Sequence, residues 1–407
     1  MHTEPKVERK PLPKPVRLSP IVPLVEFVQN NGLILVGIAL ILMPFLLTGV
    51  SSLAIMAEDN EWASAPFFIA LQSSLPNIPL MVQIIIFALY GIAFNMALGA
   101  AGVLSLGHCA FFGVGSYAAG LLLVWVKEGT PVPEAITHFF LLAPIEFAFT
   151  ASIIATLAVA IGIGALCQRK LGVYFAIVTL AISQILYYVV QTFDTLTGGT
   201  DGLAGVENVR LGLLGIELGV TSATNTYWFV FIVAAICVLI MRKILKSSYG
   251  RVLNAIRENE NRAQTCGYNT QRVKLTAFVL SGLFSGIAGF LAIIYGEAVP
   301  IENIHWSTSG TAVIITLFGG SGTFLGPAIG SFIYWYLRQL MSTQFVTIWS
   351  GFQYWEAWVG GIFILIVLFL PDGVLGTIGR LATNWTQRKR LEAEDLLADA
   401  SAEENSS

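Results

Sequence analysis

K-S-S-Y-G-R-V-L-N-A-I-R-E-N-E-N-R-A-Q-T-C-G-Y-N-T-Q-R-V-K, residues 246–274, is the most polar long segment lying between two strongly apolar ones. Val252, Ile256 and Ala263 share one helical edge, and Arg251, Arg257, Glu258, Glu260 and Arg262 fill the remainder. Gly250 precedes the expected helix, and Gly267 stands where a left-handed C-cap would end it. The spacing predicts a helix over 251–264. At about 20 Å it is too short, and too charged, to cross a bilayer. Two readings fit: a solvated loop helix, or an element that docks a partner outside the membrane. The flanking sequence bears on the choice.

Of the 407 residues 55% are hydrophobic and 12% charged, where a soluble domain carries about 25% charge. The chain is therefore read as an all-α integral membrane protein. Its net charge of −3 gives no reason to expect nucleic acid. The four cysteines (Cys109, Cys167, Cys237, Cys266) are dispersed, without metal-ligand spacing, and read as small apolar residues rather than disulfide partners. Residues 1–20 interleave five Lys and Arg with five Pro and lack the cleavage pattern of a signal peptide. The expected organisation is a basic tail at 1–25, a transmembrane domain at 26–380 and a second tail at 381–407, the last turning from basic to acidic.

Apolar spans fall near 31–49, 78–99, 105–126, 141–168, 172–191, 226–245, 273–296 and 354–370. Nineteen of the 22 Lys and Arg collect on one side of this arrangement, in the N-tail, at 169–170, at 242–274 and in the C-tail. The positive-inside rule then makes both termini and the 246–274 loop cytoplasmic. A further apolar stretch, 310–337, is interrupted by G-G-S-G-T-F-L-G-P at Gly319–Pro327. Parity requires it to begin and end on the outer side, as a re-entrant hairpin or as two short spans, so the bundle has eight to ten spans. Broken helices at membrane depth are tolerated where they are buried in protein or line a water-filled path. The functional core is therefore expected near this break. Gly102–Ala110 faintly echoes Gly322–Ala328, as two related halves would. Ser281, Ser285 and Gly289, with Gly282 and Gly286, recur at four-residue spacing, which lets helix backbones approach, within the chain or across a dimer seam.

No catalytic constellation stands out, and no metal site. The histidines are far apart, and no Gly-Lys dipeptide occurs, so the chain has no Walker A loop of its own. His108, after Gly107 in an apolar span, reads either as a satisfied side chain supporting a helix break or as part of a pathway. T-G-G-T-D-G-L at 197–203 reads either as an ordinary glycine turn or, through Thr197, Gly198, Gly199, Thr200 and Asp201, as an outer gate or a contact for a protein that delivers solute.

Six ordered motifs resemble the permease subunits of branched-chain amino acid ABC importers, of the LivM type. They are S-L-G-H-C-A-F-F-G-V-G at 105–115, L-G-V-Y-F-A-I-V-T-L-A at 171–181, T-G-G-T-D-G-L at 197–203, Y-G-R-V-L-N-A-I-R-E-N-E-N-R-A at 249–263, F-G-G-S-G-T-F-L-G-P-A-I-G at 318–330 and L-F-L-P-D-G-V-L-G at 368–376. The resemblance covers most of 75–380. It implies a multi-pass subunit of a bacterial inner membrane, pairing with a homologous permease, two cytosolic ATPase subunits and a periplasmic substrate-binding protein. ATP and Mg would then be bound by the ATPases and no cofactor by this chain. The 249–274 loop resembles the coupling loop, E-A-A-x-x-x-G in its general form, of which Ala263 and Gly267 fit. Arg251, Val252, Ile256, Arg257, Glu258, Glu260, Ala263 and Gly267 are the expected coupling residues, with Val252, Ile256 and Ala263 facing an ATPase groove. Gly102, Ser105, Gly107 and His108 with Gly319, Gly320, Gly322, Gly326 and Pro327 are the expected centre of the pathway. Urea or short amides are the alternative cargo within the family. A secondary transporter, the other alternative, would need intramembrane ion ligands, of which the sequence has few.

Overall fold

The computed structural model describes residues 21–59, 75–128, 143–167, 172–206, 209–211, 216–218, 223–345, 354–370, 372–377 and 380. The expectations for most of the two tails and for 169–170 concern residues outside that set. Two compact units are distinguished, Gly37–Thr377 and a second of Met1–Val36 with Ile378–Ser407. Of the second, residues 21–36 are described as helix and open α1 (Ile21–Asp59).

The larger unit is a helical bundle. After α1 come α2 (Ile78–Asn95), α3 (His108–Glu128), α4 (Pro144–Cys167), α5 (Val173–Thr192), the single turn α6 (Asp194–Thr197) and α7 (Ala223–Lys246). Two short helices, α8 (Ser248–Glu258) and α9 (Glu260–Thr265), precede α10 (Thr270–Gly296), the pair α11 (Trp306–Gly319) and α12 (Gly326–Gln339), and α13 (Trp355–Phe369). Among the described residues eight helices are long and apolar enough to cross a membrane, each overlapping an expected span. The described strands are β1 (Val209–Leu211) and β2 (Ile216–Leu218), one antiparallel ribbon outside the spans.

Burial sorts the spans. The α2 and α10 spans are 83% and 78% buried and that of α3 72%, whereas none of the others exceeds 28%. Three inner helices are thus wrapped by helices whose outer faces suit lipid. The inner helices approach closely because small residues line their seams. A side chain at Gly115 on α3 would strike the backbone of Gly286 on α10. One at Gly286 would strike Thr156 on α4, and one at Gly289 the Phe112 carbonyl. Ser281 donates to the Ala93 carbonyl of α2 at 2.6 Å. The four-residue spacing on α10 therefore serves packing within the chain.

Local signals set the helix ends. Asn77 caps α2, its side chain accepting from the Leu80 N–H at 2.9 Å, with Pro79 in the first turn. Asn269 caps α10 by accepting from the Arg272 N–H at 3.1 Å. α2 ends in a wider π turn over Met96–Ala100, after which the chain reverses at Gly102, φ +68°, and runs as a non-helical segment to α3.

α11 and α12, of 14 residues each, are about 21 Å long and form a hairpin through Gly320–Leu325. Its tip does not stop halfway along the bundle. Gly320 packs against Gly373 and the Asp372 carbonyl just after α13, and Asn95, near the end of α2, donates to the Thr323 carbonyl at 2.9 Å. Since Ile78–Ala100 runs about 34 Å, the break lies level with a helix end. It is held there by backbone-to-backbone contacts that only glycine permits. The expectation of a break deep in the membrane is corrected accordingly.

Candidate functional site

The 246–274 stretch folds as two helices rather than one over 251–264. Asn259 is extended, φ −157° and ψ 101°, and its side chain accepts from the Arg262 N–H at 2.9 Å, capping α9 and ending α8 in one residue. Gly250 lies inside α8 rather than before it, where a side chain would strike the Leu245 carbonyl. Gly267 does close the unit. It sits at φ +88°, its N–H bonds the Gln264 carbonyl at 2.9 Å, and the Tyr268 N–H bonds the Ala263 carbonyl at 3.2 Å, which together make a Schellman turn.

The expected outward face is the inner one. Leu253, Ile256 and Ala263 are buried and Val252 is half-buried. Leu253 packs in a cluster with Ala101, Val103, Phe175 and Phe278. The physical reason is simple: an amphipathic helix covers whatever apolar surface is nearest, here the end of its own bundle, at about 1.5–3 kcal/mol per buried aliphatic side chain. Arg251, Asn254, Ala255, Arg257, Glu258, Asn261, Arg262 and Gly267 are exposed in its place. Two of the expected coupling residues also bond within the chain. Glu260 pairs with Lys274 at 2.7 Å, tying α9 to the start of α10, and the Arg257 guanidinium donates to the Gly99 carbonyl. Tyr249 donates to the Val273 carbonyl at 2.9 Å, and burial raises its phenol above the ordinary value, so it stays a donor at neutral pH. Leu253→Ala should undock α8 at a cost of about 2–5 kcal/mol. Limited proteolysis between 247 and 268 should then run faster than in the unaltered chain.

The two glycine-rich stretches come together on α2, at Asn95 and Gly99. Both border α2 between Gly91 and Gly99. A side chain at Gly91 would press on Ile315 and Pro327, and one at Gly99 would strike Asn95 and the Ser321 carbonyl. Asn95 bonds the tip, and Gly107 packs on the Thr179 carbonyl of α5. A lone amide in an apolar span and the A-L-G-A run at 97–100 were the signals available for Asn95 and Gly99.

His108 opens α3 a few residues from this junction. Its Nε2 lies 2.8 Å from the Ser281 hydroxyl, and Phe94, Phe111 and Phe278 meet its ring edge-on at 5.0–5.7 Å. Ser105 bonds the Gly107 N–H at 3.3 Å, and Ser309 accepts from the Cys109 N–H at 2.8 Å. Ser105 and His108 are completely buried, so in this conformation they are closed packing rather than the wall of an open channel. Among the described residues the buried polar side chains are Asn, Ser, Thr and this one His, with no Asp, Glu, Lys or Arg.

At the opposite end, the 197–203 turn is built by glycines at positive φ: Gly198 at +74°, Gly199 at +55° and Gly202 at +77°. Thr197 is spent on structure, donating to the Val190 and Phe193 carbonyls at 2.5 and 2.9 Å. Leu203 pairs with Val299 beyond the end of α10. Thr200 and Asp201 are left exposed on its surface.

Known proteins resemble the chain over this same region. The pattern of the family described as "Branched-chain amino acid transport system / permease component" matches residues 78–370. The high-affinity branched-chain amino acid transport system permease protein LivM of Escherichia coli (strain K12) is 25% identical over 313 residues, 71% of this chain and 68% of that protein. A probable LivM permease of Methanocaldococcus jannaschii is 25% identical over 324 residues, covering 71% and 91%. The LivH permease of Escherichia coli (strain K12) is 24% identical over 302 residues, again 71% and 91%. No solved structure matches. With nearly all of the membrane bundle inside the matched range, the chain belongs to the family of permease components of branched-chain amino acid transport systems.

Proposed function

We propose that this chain is the transmembrane permease subunit of an ABC importer of an inner membrane. It would carry branched-chain or related amino acids from the periplasm to the cytoplasm, driven by ATP hydrolysis on two separate cytosolic ATPase subunits that hold the ATP and Mg. A homologous permease completes the pathway, and a periplasmic binding protein selects and delivers the solute. The observation that carries this reading is the α8–α9 pair. Its apolar side is fixed to the bundle and its polar side is exposed, so a force applied from the aqueous face reaches the spans through a rigid body. Nineteen of the 22 basic residues accompany it, which supports the cytoplasmic side for this end and for both termini. Urea or short amides remain the alternative cargo, because selection rests with the binding protein. The buried polar side chains of the described residues include no Asp, Glu, Lys or Arg, and His108 is held by Ser281, which speaks for a passive pathway rather than an ion-driven one.

The test is co-purification. Expressed with its cognate subunits, the chain should retain an ATPase through membrane extraction, and a chain that retains none sinks the reading. Gly267→Asp puts a side chain at φ +88° and a negative charge on the exposed turn. Membrane insertion should survive while ATPase retention or uptake falls about tenfold, a change worth 1.4 kcal/mol. Unchanged uptake would leave α8–α9 an ordinary loop. Binding assays on the partner binding protein, with leucine against urea, decide the cargo.

A further inference from the structure

The coupling reading leaves open how a push on α8–α9 would reach the pathway. Arg257 is the last basic residue of α8, and although the residue is exposed, its guanidinium reaches back to the bundle. It donates to the carbonyl of Gly99 in the π turn that ends α2. This is the negative end of a helix dipole, where a cation is favoured and a charge-assisted bond is strong. The turn is wound so that the Val103 N–H returns to the Ala97 carbonyl at 2.9 Å. Gly102, at φ +68°, passes under the Arg257 side chain, with its Cβ position 3.6 Å from Arg257 Cγ. On its other side the same turn holds the hairpin tip. Gly99 packs on the Ser321 carbonyl, and Asn95 donates to the Thr323 carbonyl at 2.9 Å. The tip in turn abuts Gly373. Four segments far apart in sequence are thus in direct contact in series: α8, the end of α2, the 320–325 tip and the turn after α13.

We propose that Arg257 is a positioning residue, an intrachain latch that carries displacement of α8 through the Gly99 turn to the α11–α12 tip, and not a contact for the partner. The proposal rests on the coupling reading for its function but not for its geometry, and two measurements separate them. The first is hydrogen exchange on the full chain alone in nanodiscs. Arg257→Gln should raise exchange of the amides at 96–104 and at 320–325 about tenfold or more, because 96–104 loses a charge-assisted anchor and 320–325 the fixed turn on which it packs. Equal exchange in the altered and unaltered chains overturns the latch, and so does a rise confined to 96–104. The second is solute moved per ATP hydrolysed by the reconstituted transporter. Arg257→Gln should lower this ratio about tenfold and Arg257→Lys should restore part of it, since lysine keeps the charge but loses the fork. A ratio unchanged in Arg257→Gln also overturns the proposal. Raised exchange in both segments, together with an unaltered chain that retains no ATPase, supports the latch and overturns the coupling reading instead.

Discussion

Gly286→Val should give a chain that enters the membrane but does not pack. Gly286 lies where α10 meets both α3 and α4, its backbone in contact with the Gly115 position and its missing side chain replaced by Thr156. A valine there must displace Thr156, and α4 with it. Overpacking of a tight seam costs about 1–3 kcal/mol and more where the neighbour cannot move. Thr156 is itself buried and α3 on the other side is an inner helix, so the upper end is expected. The thermal unfolding midpoint in detergent should fall by about 5 °C or more, and the size-exclusion profile should broaden. Gly162→Val is the control. Gly162 has nothing within 4 Å of its would-be side chain and should be neutral in both measurements. Equal loss in the two variants would mean that helix propensity, not the seam, sets the effect.

The second large effect is expected at Gly373→Ala. Gly373 sits at φ +70°, and a methyl group there would land on the backbone of Gly320 at the hairpin tip. Two penalties coincide. The left-handed backbone costs a non-glycine residue about 1–2 kcal/mol, and the clash displaces the tip. Gly267→Ala separates the two, since Gly267 has φ +88° with nothing within 4 Å. It should show the backbone cost alone. Gly373→Ala should lower the unfolding midpoint further and should also raise hydrogen exchange at 320–325, which Gly267→Ala should leave unchanged. If the two variants match, the tip is not seated on the last span.

The spans were legible in the sequence because hydropathy over some twenty residues is a large, additive signal that packing does not overrule. The expected 226–245 and observed Ala223–Lys246 differ only by the end turns. What the sequence conveys less well is partnership. The apolar edge of α8 was visible, but the surface it covers was not, and the nearest apolar surface was the chain's own. Asn259 reads equally as a mid-helix polar residue or a cap, and only its extended backbone decides. The depth of the hairpin tip was inferred from its glycines alone. Those glycines answer to Gly373, about fifty residues on, and to Asn95, more than two hundred back. A single polar amide in an apolar helix carries no distinctive pattern, so Asn95 and Gly99 emerged only from the contacts they make.

Cys109, Cys167 and Cys237 are buried, and Cys266 alone is exposed, at the end of α9 beside Gly267. The unaltered chain therefore carries one addressable thiol, and it sits on the polar face that a partner would cover. A fluorescent maleimide attached there would report in real time on whether that face is open or occluded, without any engineered cysteine or any residue removed.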